Sequence, residues 1–171
     1  MTHRVHPYVF RLGETTTWKS RWFSMKRFQG YLREDTLLRE WLWERLRGMR
    51  VASIEIERSP NTLSIIVKTA RPGILIGRGG DGIERLRRDI ERELKRIAKR
   101  ARRPLPTEKR ELKLTIEEVR SPETNARIVA EEIREDIEKR VRFRRILKQY
   151  VEKVMSHREV KGVKVMLSGR L

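Results

Sequence analysis

Cysteine is absent from the 171 residues. That excludes disulfides, thiolate zinc sites, iron–sulfur clusters and cysteine nucleophiles together. Histidine is scarce, with His3, His6 and His157 near the two ends, so a protein-built metal site is not expected. No carboxylate pair stands out from the other charges, and no serine has the setting of a nucleophile, so the sequence reads as a non-enzyme without cofactor. No run of 18 apolar residues is present, which leaves no transmembrane helix and no membrane partner. No apolar h-region opens the chain, so a secretory signal is not expected. Acid is the remaining shortage: 24 Asp and Glu stand against 42 Lys and Arg, a net charge of +18. Such an excess points to a polyanionic partner, with nucleic acid first among them. Apolar residues make up 37% and charged residues 39%. The chain can therefore fold, as one ordinary domain or two small ones with modest cores.

Residues 1–20 show neither helical nor strand period and read as an extended basic arm, anchored by Val9, Phe10 and Leu12. Trp18 and Trp22 stand one helical turn apart, a spacing that favours core packing over base stacking. Gly30 interrupts. Asp35 or Thr36 is then expected to cap a helix with an apolar face of Leu38, Trp41, Leu42 and Leu46, stopped by Gly48. Trp41 and Trp43 cannot share that face, so at least one is partly exposed or meets a partner.

Val51–Arg58 alternates, with Ala52, Ile54 and Ile56 on one side, and Leu63–Val67 follows the turn Ser59-Pro60-Asn61. The pair predicts a hairpin. After Arg71-Pro72-Gly73 come Ile74-Leu75-Ile76 and the glycine loop. Ile83, Leu86, Ile90, Leu94, Ile97 and Ala101 then mark an amphipathic helix of about six turns. Pro104 and Pro106 end it, and Leu112, Leu114 and Ile116 form a third strand. Ser121-Pro122 reads as N-cap and first turn of another long helix. Its stripe is Ala126, Ala130, Ile133, Ile137 and Val141. The period slips to Phe143, Leu147, Tyr150, Val151 and Val154, which predicts a break near Val141–Phe143. Val163–Leu167 reads as a last strand with no following partner in the chain.

Gly77-Arg78-Gly79-Gly80 is the sharpest local feature. Glycines let a nucleic-acid backbone approach closely. A helix N-terminus beyond them offers N–H groups and the positive end of its dipole to phosphate, and Arg78 adds a charge. By itself G-x-x-G is weak, and a tight turn into a helix would explain it. Neither a P-loop nor a dinucleotide fingerprint is present. The order of apolar lead-in, G-x-x-G, long helix and third strand is that of a KH module. A second feature is residues 95–113, where nine bases including Arg102, Arg103 and Lys109 face two acids. A run alternating in sign would be a solvated face; this one does not alternate, and phosphate contacts would relieve its self-repulsion. A third is a contrast in the last helical region. Thr124–Arg140 holds four bases and five acids, whereas Val141–Lys153 holds five bases and one acid. A helical wheel turns Arg144, Arg145 and Lys148 away from the apolar set. The spacing fits a basic binding patch and a solubility device equally.

Several stretches, in order, resemble the bacterial-type small-subunit ribosomal protein S3 family. They are Val5-His6-Pro7, Arg11-Leu12-Gly13, Trp18–Phe23, Thr69–Gly77, Glu118-Val119-Arg120, Arg140–Arg145, Gly162–Val165 and Ser168-Gly169-Arg170-Leu171. The resemblance spans nearly the whole chain. It implies an α+β fold: the arm over 1–20, a helical lead-in and type II KH domain over 21–120, and the start of a second α+β domain over 121–171. It further implies a cytoplasmic, ribosomal setting, with organellar origin left open, in the head of the small subunit beside proteins S10 and S14. Contacts to 16S-type rRNA are then expected from Arg4, His6, Arg11, Trp18, Arg71, Gly77, Arg78, Gly79, Gly80, Arg102, Arg103 and Lys109. Contacts to mRNA are expected from Arg144, Arg145 and Lys148, which the resemblance places along the channel where message enters and is unwound. The sequence departs from the family pattern in three ways. The loop pair is Arg78-Gly79 where two bases are common. The connection Lys99–Glu111 is longer and more basic than usual. Family members also commonly continue past Ser-Gly-Arg-Leu into a further sheet, so the second domain is expected to be truncated. A free KH regulator of transcripts is the alternative, and would select a short single-stranded motif. A nuclease or lyase is disfavoured by the lack of metal ligands and acid–base pairs.

Overall fold

A computed structural model describes residues 5–100 and 111–169. The arm is not simply extended: His6 caps a single helical turn, α1 (Pro7–Phe10), by accepting the Tyr8 N–H through Nδ1 at 3.1 Å. Proline at the first helical position suits that start, because its missing N–H would have had no partner. A short strand, β1 (Ser20–Arg21), follows. Trp18 and Trp22 therefore share no helix. Trp18 lies exposed, while Trp22 packs against the rings of Phe28 and Tyr31, each with centroids 5.4 Å away.

Helix α2 (Phe28–Arg45) begins a full two turns before the expected cap and carries Gly30 inside it. Asp35 is no cap but a buried carboxylate in mid-helix. It accepts the Trp22 indole N–H at 2.7 Å and the Arg58 Nε–H at 2.8 Å. Thr36 donates back to the Leu32 carbonyl instead of capping. The expected face is present: Leu38, Leu42 and Leu46 are buried, with Trp41 and Trp43 packed partly against the same core.

Strands β2 (Val51–Arg58) and β3 (Thr62–Thr69) form the antiparallel hairpin, with Ile54 opposite Val67 and Ile56 opposite Ile65. A bulge between Val51 and Ser53 shifts the register, so Val51 is buried and Ala52 only half so. The simple alternation from Ala52 fails there because an extra residue in one strand breaks the period of two. Helices α3 (Pro72–Ile76) and α4 (Asp81–Arg100) carry the chain across to β4 (Glu111–Glu118). β4 lies parallel to β3, a pairing that requires such a crossover. The sheet order is β1-β2-β3-β4.

Leu38, Leu42, Ile54, Ile56, Ile65, Val67 and Ile90 sit at the centre of the larger core, between α2 and α4 and one face of this sheet. The opposite face carries an ion ladder across all four strands. Arg21 pairs with Glu55 at 2.8 Å and Glu57 at 2.5 Å, and Lys68 meets Glu55 at 2.8 Å and Glu117 at 3.7 Å. The helix-strand-strand-helix-helix-strand order from α2 to β4 is the one expected for a type II KH domain.

Ser121-Pro122 opens a 3-10 turn, Pro122–Thr124, rather than the helix itself. Helix α5 (Ala126–Glu138) starts from Asn125, whose Oδ1 accepts the N–H groups of Arg127 and Ile128. Its buried side is Ile128, Val129, Glu132 and Ile133, while Ala126 and Ala130 of the expected stripe are exposed. The break falls where the period slips. α5 ends at Glu138, Arg140 takes φ +60°, and α6 (Phe143–Met155) begins anew. Ile146, outside the expected apolar set, joins Tyr150 and Val154 as the buried anchor of α6. Together with Val129 and Ile133 they make a second, smaller core. Val163, Val165 and Leu167 pack partly against that core, but among the described residues 162–168 pair with no strand. The expected strand is therefore absent among the described residues: alternation alone does not make one, because a strand needs a neighbour to bond with.

Candidate nucleic-acid interfaces

The expected contacts do not converge on one pocket. The arm's His6, Arg11 and Trp18 are exposed and lead into β1 at one edge of the sheet. His6 and Arg11 also serve the local fold, since Arg11 donates to the Pro7 carbonyl at 3.0 Å. Arg4, Arg102, Arg103 and Lys109 lie outside the described residues.

The glycine loop sits at the other side of the domain, where α3 packs against β4 and α4. Arg71, exposed, precedes α3. Gly77, Gly79 and Gly80 take φ of +70°, +64° and +88°, the left-handed region that a side chain occupies only with strain. Arg78 is exposed at the tip and forms no ion pair with a described residue. The sequence reading passed over Gly82, which decides the geometry of this turn. A Cβ there would overlap the Leu75 carbonyl oxygen and lie 2.9 Å from that of Ile76. Only glycine lets the first turn of α4 press against the end of α3, and its signal was the third glycine in Gly79-Gly80-Asp81-Gly82. Asp81 and Glu84 occupy the same first turn. They already satisfy the helix dipole in part, so phosphate approach there depends on the loop N–H groups and Arg78.

The third region is α6. Arg144, Arg145 and Lys148 are exposed and, with Val141, Arg142, Gln149 and Glu152, line an open surface groove. None of the three has an acidic partner among the described residues. Lys153 of the same helix differs. It meets Glu132 at 2.8 Å and lies 5.8 Å from the centre of the Tyr150 ring. Burial, with the hydrogen bond to the Asp136 carboxylate at 2.8 Å, pushes the Tyr150 hydroxyl above its usual range, so it stays protonated. The basic run is thereby divided into one structural lysine, Lys153, and four exposed cations, with Arg142 just before α6 beside the three on the helix.

The acid-rich part of the same region also acquires a purpose. Glu132, buried, pairs with Arg50 at 2.6 Å, Glu138 pairs with Arg47 at 2.6 Å, and Glu131 accepts the Gly48 N–H at 2.9 Å. α5 is thus held to the turn after α2 by charge. Near this seam, Arg127 stacks over the Trp43 ring at 3.5 Å. Lys19 loses some basicity, first through burial and then through Arg127 and Arg39, which neither composition nor spacing had indicated.

Residues 37–124 match the KH domain family. The whole chain is 43% identical to the small ribosomal subunit protein uS3 of Koribacter versatilis, covering 70% of that protein. It is 41% identical to the uS3 protein of Maridesulfovibrio salexigens and 40% identical to that of Kosmotoga olearia, covering 73% of each. The chain belongs to the uS3 ribosomal protein family. That family is structural, not enzymatic, and its KH domain binds RNA. The glycine loop from Gly77 to Gly80 falls inside the KH match, whereas the α6 groove falls outside it.

Proposed function

We propose that this chain is a constituent of the head of the small ribosomal subunit, in the cytoplasm, that binds 16S-type rRNA and lines the channel through which mRNA enters. In this reading residues 21–120 are a helical lead-in and the type II KH domain, and 121–171 the start of a second α+β domain. The arm (Arg4, His6, Arg11, Trp18), the loop region (Arg71, Gly77, Arg78, Gly79, Gly80) and Arg102, Arg103 and Lys109 contact rRNA. Proteins S10 and S14 are its neighbours. Arg144, Arg145 and Lys148 grip message strands as the ribosome translocates, and no nucleotide is hydrolysed by the protein.

The observation that carries the mRNA role is the selective one on α6. Three cations are presented on a rigid helix without acidic partners among the described residues, while the fourth, Lys153, is consumed by Glu132. A cation paired with a buried carboxylate holds structure together; unpaired, solvated cations on one face remain available for phosphate.

Sedimentation of the endogenous protein through a sucrose gradient after a high-salt wash tests the assignment, because salt strips loosely held phosphate binders first. Stoichiometric retention in the small-subunit peak is expected. Recovery at the top of the gradient would refute it.

A further inference from the structure

We infer that the outward face of α4 is a separate docking surface for the phosphate backbone of duplex RNA. Along α4 bases and acids are mixed in sequence, eight against five over 81–100, and nothing in the spacing of signs marks a site. The fold sorts them. Leu86, Ile90 and Ile97 are buried, which fixes the inward side of the helix. At about 100° per residue, Arg88, Arg92, Lys95 and Lys99 fall within roughly 40° of the opposite direction, with Arg85 about 60° and Arg96 about 80° to one side. All six are exposed.

The acids sit lower. Asp89 and Glu93 lie at the boundary with the core and are only 16% exposed; they pair with Arg92 and, at 3.5 Å, with Arg96, whose side chains remain 78% and 61% exposed. Asp89 also holds Arg45 of α2 at 3.1 Å, so its charge is shared between α4 and α2. Glu91 flanks the stripe about 60° to its other side. Asp81 and Glu84, both in the first turn, are the acids aligned with it. From Arg88 to Lys99 the row is free of acid for about 16 Å at 1.5 Å per residue.

Three features select duplex RNA over a protein partner. The row has no apolar or aromatic residue, so it lacks the anchors on which protein interfaces depend. Four of its six members are arginines, whose planar forks suit phosphate oxygens. It is straight and rigid, matching a regular backbone, whereas the glycine loop is a concave turn suited to a splayed single strand. This surface rests on the rRNA-binding reading above and gives it a second, sequence-independent contact.

The test uses the intact chain and its R88Q/R92Q/K99Q variant, with a fully paired RNA duplex and a single-stranded RNA as probes. Affinity is measured across a salt series, and circular dichroism confirms the fold. For the variant, the slope of log affinity against log salt for the duplex should fall by about 2 to 3, with a loss of about tenfold or more near 0.1 M salt. Binding of the single strand should change less. An unchanged duplex affinity and slope would overturn the proposal. So would a variant that keeps the duplex but loses an acidic polypeptide, which would assign the face to a protein. Either result leaves retention in the small-subunit peak untouched, so failure here is distinct from failure of the ribosomal reading.

Discussion

Gly82→Ala is the substitution that most sharply tests how the glycine loop is built. The added methyl would overlap the Leu75 carbonyl oxygen and crowd that of Ile76, both backbone atoms that no rotamer change can move aside. Either α3 shifts as a unit or the first turn of α4 unwinds. Over-packing of this kind costs about 1–3 kcal/mol, and rigid backbone on one side argues for the upper half of that range. For a chain of this size each kcal/mol lowers Tm by about 2–4 °C, so a fall of roughly 4–12 °C is expected. Because α3 leads directly into Gly77 and the loop, binding of single-stranded RNA should weaken in the same variant. Gly79→Ala is the control. Its Cβ would meet nothing within 4 Å, leaving only the strain of φ +64°, about 1–2 kcal/mol. Thermal unfolding and RNA titration of both variants decide the matter. A Gly82→Ala protein that melts with the wild type and binds RNA equally would show that the close approach of α3 and α4 is not what shapes the loop.

Arg144→Ala with Arg145→Ala should slow ribosomes on structured message while subunit assembly stays normal. Both side chains are exposed, so stability should shift by no more than about 0.5 kcal/mol each; unchanged unwinding would remove the mRNA role. Asp35→Ala should cost about 3 kcal/mol in denaturant unfolding, the low end for breaking a buried pair, because Glu34 still meets Arg58 at 3.0 Å. Asp35→Asn, which keeps an acceptor for Trp22, should cost less. Burial alone would raise the Glu55 carboxyl, but hydrogen bonds and charge from Lys68 and Arg21 together hold it below its ordinary value of 4.5. Its contribution is therefore complete above about pH 4.5 and is lost as pH falls through the lowered value. Glu55→Gln should flatten the acid limb of a stability-versus-pH curve, and an identical limb would refute the ladder's share.

Much of the path from α2 to β4 was legible locally. The stripe Leu38, Leu42 and Leu46, the hairpin turn at Ser59-Pro60-Asn61 and the apolar repeat of α4 each record a periodicity that the backbone itself imposes. The break before Phe143 was legible for the same reason, since a slipped period means a changed direction. The misses have a common cause. Asp35 reads as a cap because short acids favour helix starts. Its actual partners, Trp22 and Arg58, are 13 and 23 residues away. Val163–Leu167 alternates like a strand, yet hydrogen-bonded pairing is a property of two segments.

The sequence by itself determined the basic character, the KH order of elements, the glycine loop and the family, because composition, period and motif are all properties of neighbouring residues. Tertiary structure alone decided which charges are spent and which are offered. Lys153 is tied to Glu132 and Arg50 to the same carboxylate, while Arg144, Arg145 and Lys148 face solvent. It also turned the mixed charges of α4 into one basic row. The physical reason is that a charge is neutralised by whatever the fold brings within about 4 Å of it, and that distance bears no relation to separation along the chain.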